Sequence, residues 1–186
     1  MSQSISLHKK SILVTGGARG LGKAFASSLV EAGAKVAIAD ILVEEGNATA
    51  NSIGAQFFEV DITDPSGVTR CIEEVIKRLG GIDGLVNNAA IATGIVGPRM
   101  TDIEVEVWDK VMNVNVRGTW LVTKASVPHL AKCGNGKILN LASDTALWGA
   151  TNLMHYVASK GAVVAMTRSM ANELGEKGIS VNCIAP

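Results

Sequence analysis

The sequence has one tyrosine, three histidines and three cysteines among 186 residues, and each scarcity closes off a class of function. Cys71, Cys133 and Cys183 are odd in number and widely spaced. That fits reduced thiols better than a disulfide framework. His8, His129 and His155 are scattered, and no CxxC or His/Cys cluster offers a zinc-binding spacing, so no metal site is expected. Charge of one sign is lacking too: 17 basic residues balance 17 acidic ones. With no basic block, neither nucleic acid nor an anionic membrane surface is an expected partner. No apolar run reaches the ~18 residues of a membrane span. The first ten residues lack the apolar stretch of a signal peptide. The cytoplasm is the expected location.

What is present is a compact-domain composition, with 47% hydrophobic and 18% charged residues. Glycine is plentiful at 20 residues, above the ordinary share of about 7%. Short apolar runs alternate with helical stretches. Strands are expected at 11–15, 35–40, 56–60, 82–87, 137–142 and 179–184. Helices are expected at 20–32, 43–53, 66–79, 103–132 and 153–176. Strands joined by helical crossovers make parallel βαβ units. The strands are apolar on both sides, as helices on both faces require. The expected architecture is therefore one α/β domain, a doubly wound parallel sheet over residues 10–186 behind a short tail at 1–9. Ligands of such sheets bind beyond the carboxyl ends of the strands.

The chemistry-bearing residues fall at those ends. Thr15-Gly-Gly-Ala-Arg-Gly-Leu-Gly22 joins the first strand to the first helix. Gly16 permits a tight turn, and Gly20 and Gly22 let the backbone approach a pyrophosphate at a helix N-terminus. Any tight turn uses glycine, so the strand–helix placement is what favours a nucleotide. Asp40 ends the second strand. A carboxylate there accepts from both hydroxyls of an adenosine ribose and repels a 2′-phosphate, which favours NAD over NADP. Arg19 points the other way, since a guanidinium in the loop suits a 2′-phosphate. Asp61 either accepts from an adenine amino group or simply caps an Asx turn. Asn87-Asn88-Ala89-Ala90 closes the fourth strand with small side chains and with amides able to tie neighbouring strands. Asn115 is a poor helix former inside a helical stretch and marks either a kink or a water site.

Tyr156 and Lys160 are four residues apart, and Ser143 precedes them. On a helix, i and i+4 share a face. An ammonium beside a phenol favours the phenolate. Such a pair, with a serine hydroxyl to hold the substrate oxygen, suits proton exchange with an alcohol. A tyrosine packed in a helix with an exposed lysine one turn on is the plainer reading of this pair alone.

Taken together, Thr15–Gly22, Asn87-Asn88-Ala89, Asn115-Val116-Arg117-Gly118, Ser143 and Tyr156-x-x-x-Lys160 resemble, in order and spacing, the classical short-chain dehydrogenase/reductase family. The resemblance covers residues 10–186. It implies a three-layer Rossmann-type sheet and hydride transfer between NAD, or less readily NADP, and a secondary alcohol or ketone. It also implies catalytic roles for four residues. Tyr156 would be the general acid/base and Ser143 would polarise the substrate oxygen. Lys160 would bind the nicotinamide ribose and tune the tyrosine, and Asn115 would hold a relay water. The cofactor would lie against Gly16, Arg19, Gly20, Leu21, Gly22, Asp40, Asp61, Ile62, Asn88, Ala89, Ala90, Tyr156 and Lys160. The resemblance further implies homo-oligomers, dimer or tetramer, formed through helices 103–132 and 153–176. The second of these carries a small face of Ala158, Ala162, Ala165 and Ser169.

Two departures qualify that picture. Ala90 stands where the family commonly has glycine. Members usually continue past Pro186 into a substrate loop and a seventh strand. The expected fold therefore lacks the family's C-terminal strand, and a chain ending there is expected to leave an exposed sheet edge and little dehydrogenase activity. A non-catalytic nucleotide-binding module, or an epimerase or dehydratase holding NAD tightly, remains open. Residues 91–96 and 144–154 are expected to line the substrate pocket. In the latter, Leu147, Trp148, Leu153 and Met154 suggest a small hydrophobic alcohol or ketone.

Overall fold

Five consecutive buried residues, Ser11–Thr15, form β1, the strand from which the sheet grows in both directions. The computed structural model describes residues 6–92 and 97–186. The other strands are β2 (Lys35–Asp40), β3 (Gln56–Glu59), β4 (Gly84–Asn87), β5 (Lys137–Leu141) and β6 (Ser180–Ile184). They make one parallel sheet in the order β3-β2-β1-β4-β5-β6. The winding direction reverses between β1 and β4. A crevice opens there at the carboxyl ends of the strands, where doubly wound sheets take their ligands.

Side-chain alternation splits the core in two. Leu13, Ala37, Ala39, Leu85 and Ile138 point to one face. They pack there against α3 (Pro65–Leu79), α5 (Thr119–Lys132) and the end of α7 (Met154–Leu174). Ile12, Val14, Val36, Ile38 and Val86 point the other way, to α1 (Gly20–Glu31) and α2 (Val43–Ile53). Helix α3 shows how local signals set an element. Asp64 caps it by accepting from the Ser66 amide at 3.0 Å, and Pro65 occupies its first turn. Val68, Cys71, Ile72, Val75 and Leu79 form its buried stripe, and Gly80, at φ 89°, ends it in the left-handed conformation. The three cysteines are unpaired, and burial pushes the Cys71 thiol up to about 12.

The helical stretch expected over 103–132 runs unbroken from Val105 to Lys132 but is not uniformly α. It consists of α4 (Val105–Met112), a π-helical segment (Asn113–Gly118) and α5. Thr119 and Thr123 donate back to the carbonyls of Asn115 and Thr119, each at 2.8 Å. The widened segment admits the buried Asn115 amide to the protein interior, and such π segments recur at functional sites. Four strands are also shorter than expected, β3 and β5 by their last residue and β4 and β6 at their starts. Ile82 is buried but precedes β4, and Ile179 is buried but precedes β6. A short helix, α6 (Thr145–Trp148), follows β5 in a segment expected only to line a pocket. No helix among the described residues is long and apolar enough to cross a membrane.

Candidate active site

The loop between β1 and α1 is shaped by its glycines. Gly16 has φ +64°, and a Cβ there would lie 2.6 Å from the Ala89 Cα. Gly20 has φ +56° with open space around it, so its backbone is free to be approached. Gly22 has a packing role as well. A Cβ at Gly22 would collide with the Gly16 carbonyl, so this glycine seats α1 against the loop. Arg19, at the N-cap of α1, is exposed and provides no side-chain cap. No acidic residue sits in the first turn of α1, which leaves its amide donors to an anion. Leu21 is 56% exposed beside them.

Neighbouring strand ends hold this loop in place. Asp40 accepts from the Ala18 amide at 3.0 Å with one oxygen and from the Leu42 amide at 3.1 Å with the other. Each oxygen keeps a lone pair for a further donor. Asn88 donates to the carbonyls of Thr15 (3.1 Å) and Gly16 (2.8 Å). Thr15 Oγ1 accepts from the amides of Asn88 and Ala89, each at 3.1 Å. Ala90 is exposed beyond them. Asn87 reaches sideways to Asn140 Oδ1 at 2.8 Å, and Asn140 donates to Thr167 Oγ1 at 2.9 Å. These amides tie β4, β5 and α7 together.

Asp61 forms the Asx turn: its Oδ1 accepts from the amide and the hydroxyl of Thr63, at 2.8 and 2.7 Å. Its other oxygen has no hydrogen-bond partner among the described residues. The Ile62 side chain is buried against Gly118, so only its main chain is left for a ligand. Arg117 donates to the Thr63 carbonyl at 2.9 Å and fastens the π segment to this loop.

At the other side of the crevice, α7 brings Tyr156 and Lys160 onto one face. The Lys160 ammonium lies 5.7 Å from the centroid of the Tyr156 ring. Lys160 is only 5% exposed and donates to the Leu141 carbonyl at 2.6 Å. Burial lowers its pKa to about 8. Two of its three donors remain for a ligand. Tyr156 is half-buried, and its hydroxyl takes no hydrogen-bond partner among the described residues.

Asn115 is 1% exposed, and its amide is engaged at both ends. Oδ1 accepts from the Ile91 amide at 2.7 Å, and Nδ2 donates to the Ile91 carbonyl at 3.1 Å and to Ser159 Oγ at 3.0 Å. Ser159 in turn donates to the Tyr156 carbonyl at 2.7 Å. The side chain is thus a strut between the loop after β4 and the turn carrying Tyr156. Ser143 lies just past β5, 7% exposed, with Thr145 Oγ1 at 3.0 Å.

Sequence reasoning did not find Thr15, Thr145, Ser159 or the Arg117 strap. Threonine and serine carry no signal until the fold gives them partners. His155 was seen only as scattered, yet it is fully buried beside Tyr156 with neither ring nitrogen hydrogen-bonded. Of the expected pocket wall, residues 93–96 lie outside the described residues. Leu147 and Trp148 are 74% and 64% exposed and Met154 is 39% exposed, the exposed large apolar side chains of the segment after Ser143. A cavity of about 820 Å³ lies elsewhere, between α4, α5 and α7, and none of Ser143, Tyr156 and Lys160 lines it.

Over residues 10–186 the chain matches the model of the short chain dehydrogenases. It is 42% identical over 183 residues to a sorbitol dehydrogenase of Cereibacter sphaeroides, covering 97% of this chain and 70% of that protein. It is 38% identical over 179 residues to a 3-alpha-(or 20-beta)-hydroxysteroid dehydrogenase of Mycobacterium tuberculosis, covering 95% of this chain and 68% of that protein. It is 37% identical over 186 residues to 2-(S)-hydroxypropyl-CoM dehydrogenase 3 of Xanthobacter autotrophicus, covering 97% and 71% respectively.

Proposed function

The chain belongs to the short-chain dehydrogenase family, and on that premise we propose that it is an NAD-dependent oxidoreductase of secondary alcohols and the corresponding ketones. The observation that carries this reading is the convergence of Tyr156, buried Lys160 and Ser143 at the carboxyl end of β5. The glycine cradle with its uncapped helix start lies across the same crevice. Such a cradle fits a dinucleotide, because Gly20 leaves open backbone and α1 presents unpaired amides. When bound, a nicotinamide dinucleotide supplies hydride transfer. The protein's own residues do the rest. The Ser143 hydroxyl donates to the substrate oxygen. Tyr156 Oη takes a proton from the alcohol or returns one to the ketone. Lys160 places its two remaining donors toward the ribose and holds positive charge beside the phenol.

The exposed apolar side chains of Leu147, Trp148 and Met154 favour a hydrophobic, alicyclic substrate over a polyol. Relatives acting, by their names, on sorbitol and on hydroxysteroids bracket these two possibilities. A panel of sorbitol, cyclohexanol and a hydroxysteroid, followed at the NADH absorbance, tests the reading. With the family's usual C-terminal extension present, net NADH formation from cyclohexanol or the steroid is expected. No turnover of free NAD with any alcohol would reject the dehydrogenase assignment.

Asp40 is expected to set the choice of cofactor, with NAD binding more tightly than NADP. Asp40→Ala removes both ribose acceptors and the anchors to Ala18 and Leu42. Hydrogen bonds to a charged group contribute about 1.5–3 kcal/mol, so NAD affinity should fall about 10- to 100-fold. NADP affinity should fall much less, because a repulsion is relieved at the same time. Calorimetry finding NADP the tighter ligand of the parent protein would transfer the role to Arg19.

Self-association is expected through α4, α5 and α7. Ala165 and Ser169 on α7 are exposed, not spent covering the sheet, and Ser169 borders the 820 Å³ groove with Trp120 and Met166. Light scattering at micromolar concentration should give a multiple of 19.3 kDa. A monomer mass would count against this interface.

A further inference from the structure

We propose that Thr145 is a positioning residue that fixes the Ser143 hydroxyl as a hydrogen-bond donor to the substrate oxygen. The inference rests on the dehydrogenase reading of Ser143 and goes beyond it. A serine hydroxyl has one hydrogen to give and two lone pairs to fill. A free hydroxyl rotates, and most of its orientations point the hydrogen away from a substrate. Ser143 is not free. Thr145 Oγ1 donates to Ser143 Oγ at 3.0 Å, and the Thr145 amide points at the same oxygen at 3.4 Å. The 3.0 Å bond fills one lone pair, the long amide contact lies toward the other, and the hydrogen is left to be directed elsewhere.

Two acceptors compete for that hydrogen, and both are held at long range. The Pro186 carbonyl is 3.5 Å from Ser143 Oγ. Asp144 Oδ1 is 3.4 Å away. As a carboxylate, Asp144 would be the stronger trap, since charged acceptors form the shorter and stronger bonds. It is restrained by Trp148, whose indole Nε1 donates to Asp144 Oδ2 at 3.2 Å. That bond spans one turn, from the residue before α6 to its last residue, and engages one of the two carboxylate oxygens. Thr145 and Trp148 therefore act on Ser143 from two sides: one fills its acceptor sites, and the other keeps a competing acceptor at a distance. A substrate oxygen arriving within ordinary hydrogen-bond reach then outcompetes both long contacts. Neither Thr145 nor Trp148 has to touch the reacting atoms for this to hold.

The test combines kinetics with a structure. Four variants are compared with the parent enzyme on cyclohexanol and NAD: Ser143→Ala, Thr145→Val, Thr145→Ser, and Ser143→Ala combined with Thr145→Val. Loss of one neutral orienting hydrogen bond should lower kcat roughly tenfold in Thr145→Val. NAD affinity should be unchanged, because Thr145 does not border the glycine cradle. Thr145→Ser restores the hydroxyl and should recover most of the rate. Adding Thr145→Val to Ser143→Ala should cost nothing further, since the group being oriented is gone. A crystal structure of Thr145→Val should show Ser143 Oγ rotated toward Asp144. Parent-like kcat in Thr145→Val, beside a crippled Ser143→Ala, would overturn the proposal and leave the dehydrogenase reading standing. Additive losses in the double variant, or an unmoved Ser143 rotamer in the crystal, would also overturn it. Full activity in Ser143→Ala would remove the reading of Ser143 itself, and the proposal with it.

Discussion

Tyr156→Phe is expected to lower kcat by about 10²–10⁴-fold, the usual contribution of a positioned general acid or base. NAD affinity should change little. The reasoning starts from how small the lesion is. The substitution removes one oxygen and almost no volume from a half-buried ring, so packing on α7 survives. The hydroxyl that is lost has no partner among the described residues, so no buried donor or acceptor is orphaned and stability should hold. The ammonium of Lys160, 5.7 Å from the ring centroid, stays bonded to the Leu141 carbonyl and stays available to a ribose. What disappears is the only phenol in the chain. Steady-state rates paired with calorimetric NAD binding check this. More than a few per cent of residual kcat would mean that a different acid serves, and His155, buried in the adjacent position, would be the first to examine.

Much of this arrangement is legible in the sequence because it rests on local signals. β1, β2 and α2 fall where their apolar runs and flanking turns place them. The glycine loop, Asp40 and the Tyr156–Lys160 pair follow from strand ends and helical spacing. What escapes is long-range. The π segment exists because Asn115 bonds to Ile91, 24 residues away, and to Ser159, 44 residues away. No window of sequence contains those partners, so a uniform α-helix is the natural expectation there. Gly22 looks like a phosphate-facing glycine, and only the fold reveals the Gly16 carbonyl pressed against it. The resemblance gives Asn115 a relay water; in the fold its Nδ2 is spent on Ile91 and Ser159, which leaves the second lone pair of Oδ1 and the main-chain carbonyl, already accepting from Thr119, as the acceptors such a water could use. The groove's shape escapes for the same reason, since its lining comes from α4, the π segment, α5 and α7 together, although the helices involved are the ones expected to associate.

Lys160→Met should damage function and spare stability, with a pH dependence that identifies the cause. Its folded pKa is about 8, below the ordinary 10.5, because burial disfavours the charged form. Below both values the side chain is charged in the folded and unfolded states alike, and folding carries the full burial penalty. As pH rises through about 8, the folded protein releases the proton while the unfolded chain keeps it. The penalty therefore shrinks between 8 and 10.5, and stability rises with pH across that window. At about 1.4 kcal/mol per pKa unit, the shift corresponds to roughly 3 kcal/mol, an upper bound. Methionine escapes this penalty but leaves the Leu141 carbonyl without its 2.6 Å donor, at a cost of about 1–3 kcal/mol. At neutral pH the burial term is the larger, so the variant should melt at or above the parent temperature. Toward 10.5 the parent is relieved of its penalty and the variant is not relieved of its lost hydrogen bond, so the order should reverse. NAD affinity and turnover should fall, because the ribose donors are gone at any pH and, below about 8, so is the charge beside Tyr156. Denaturant melts of both proteins on either side of the window check the stability, and calorimetry checks the cofactor. A variant less stable than the parent at neutral pH, with no crossover, would mean that the bond to Leu141 outweighs the buried charge. The lysine would then be a structural clamp first, and its place beside Tyr156 a consequence of that clamp.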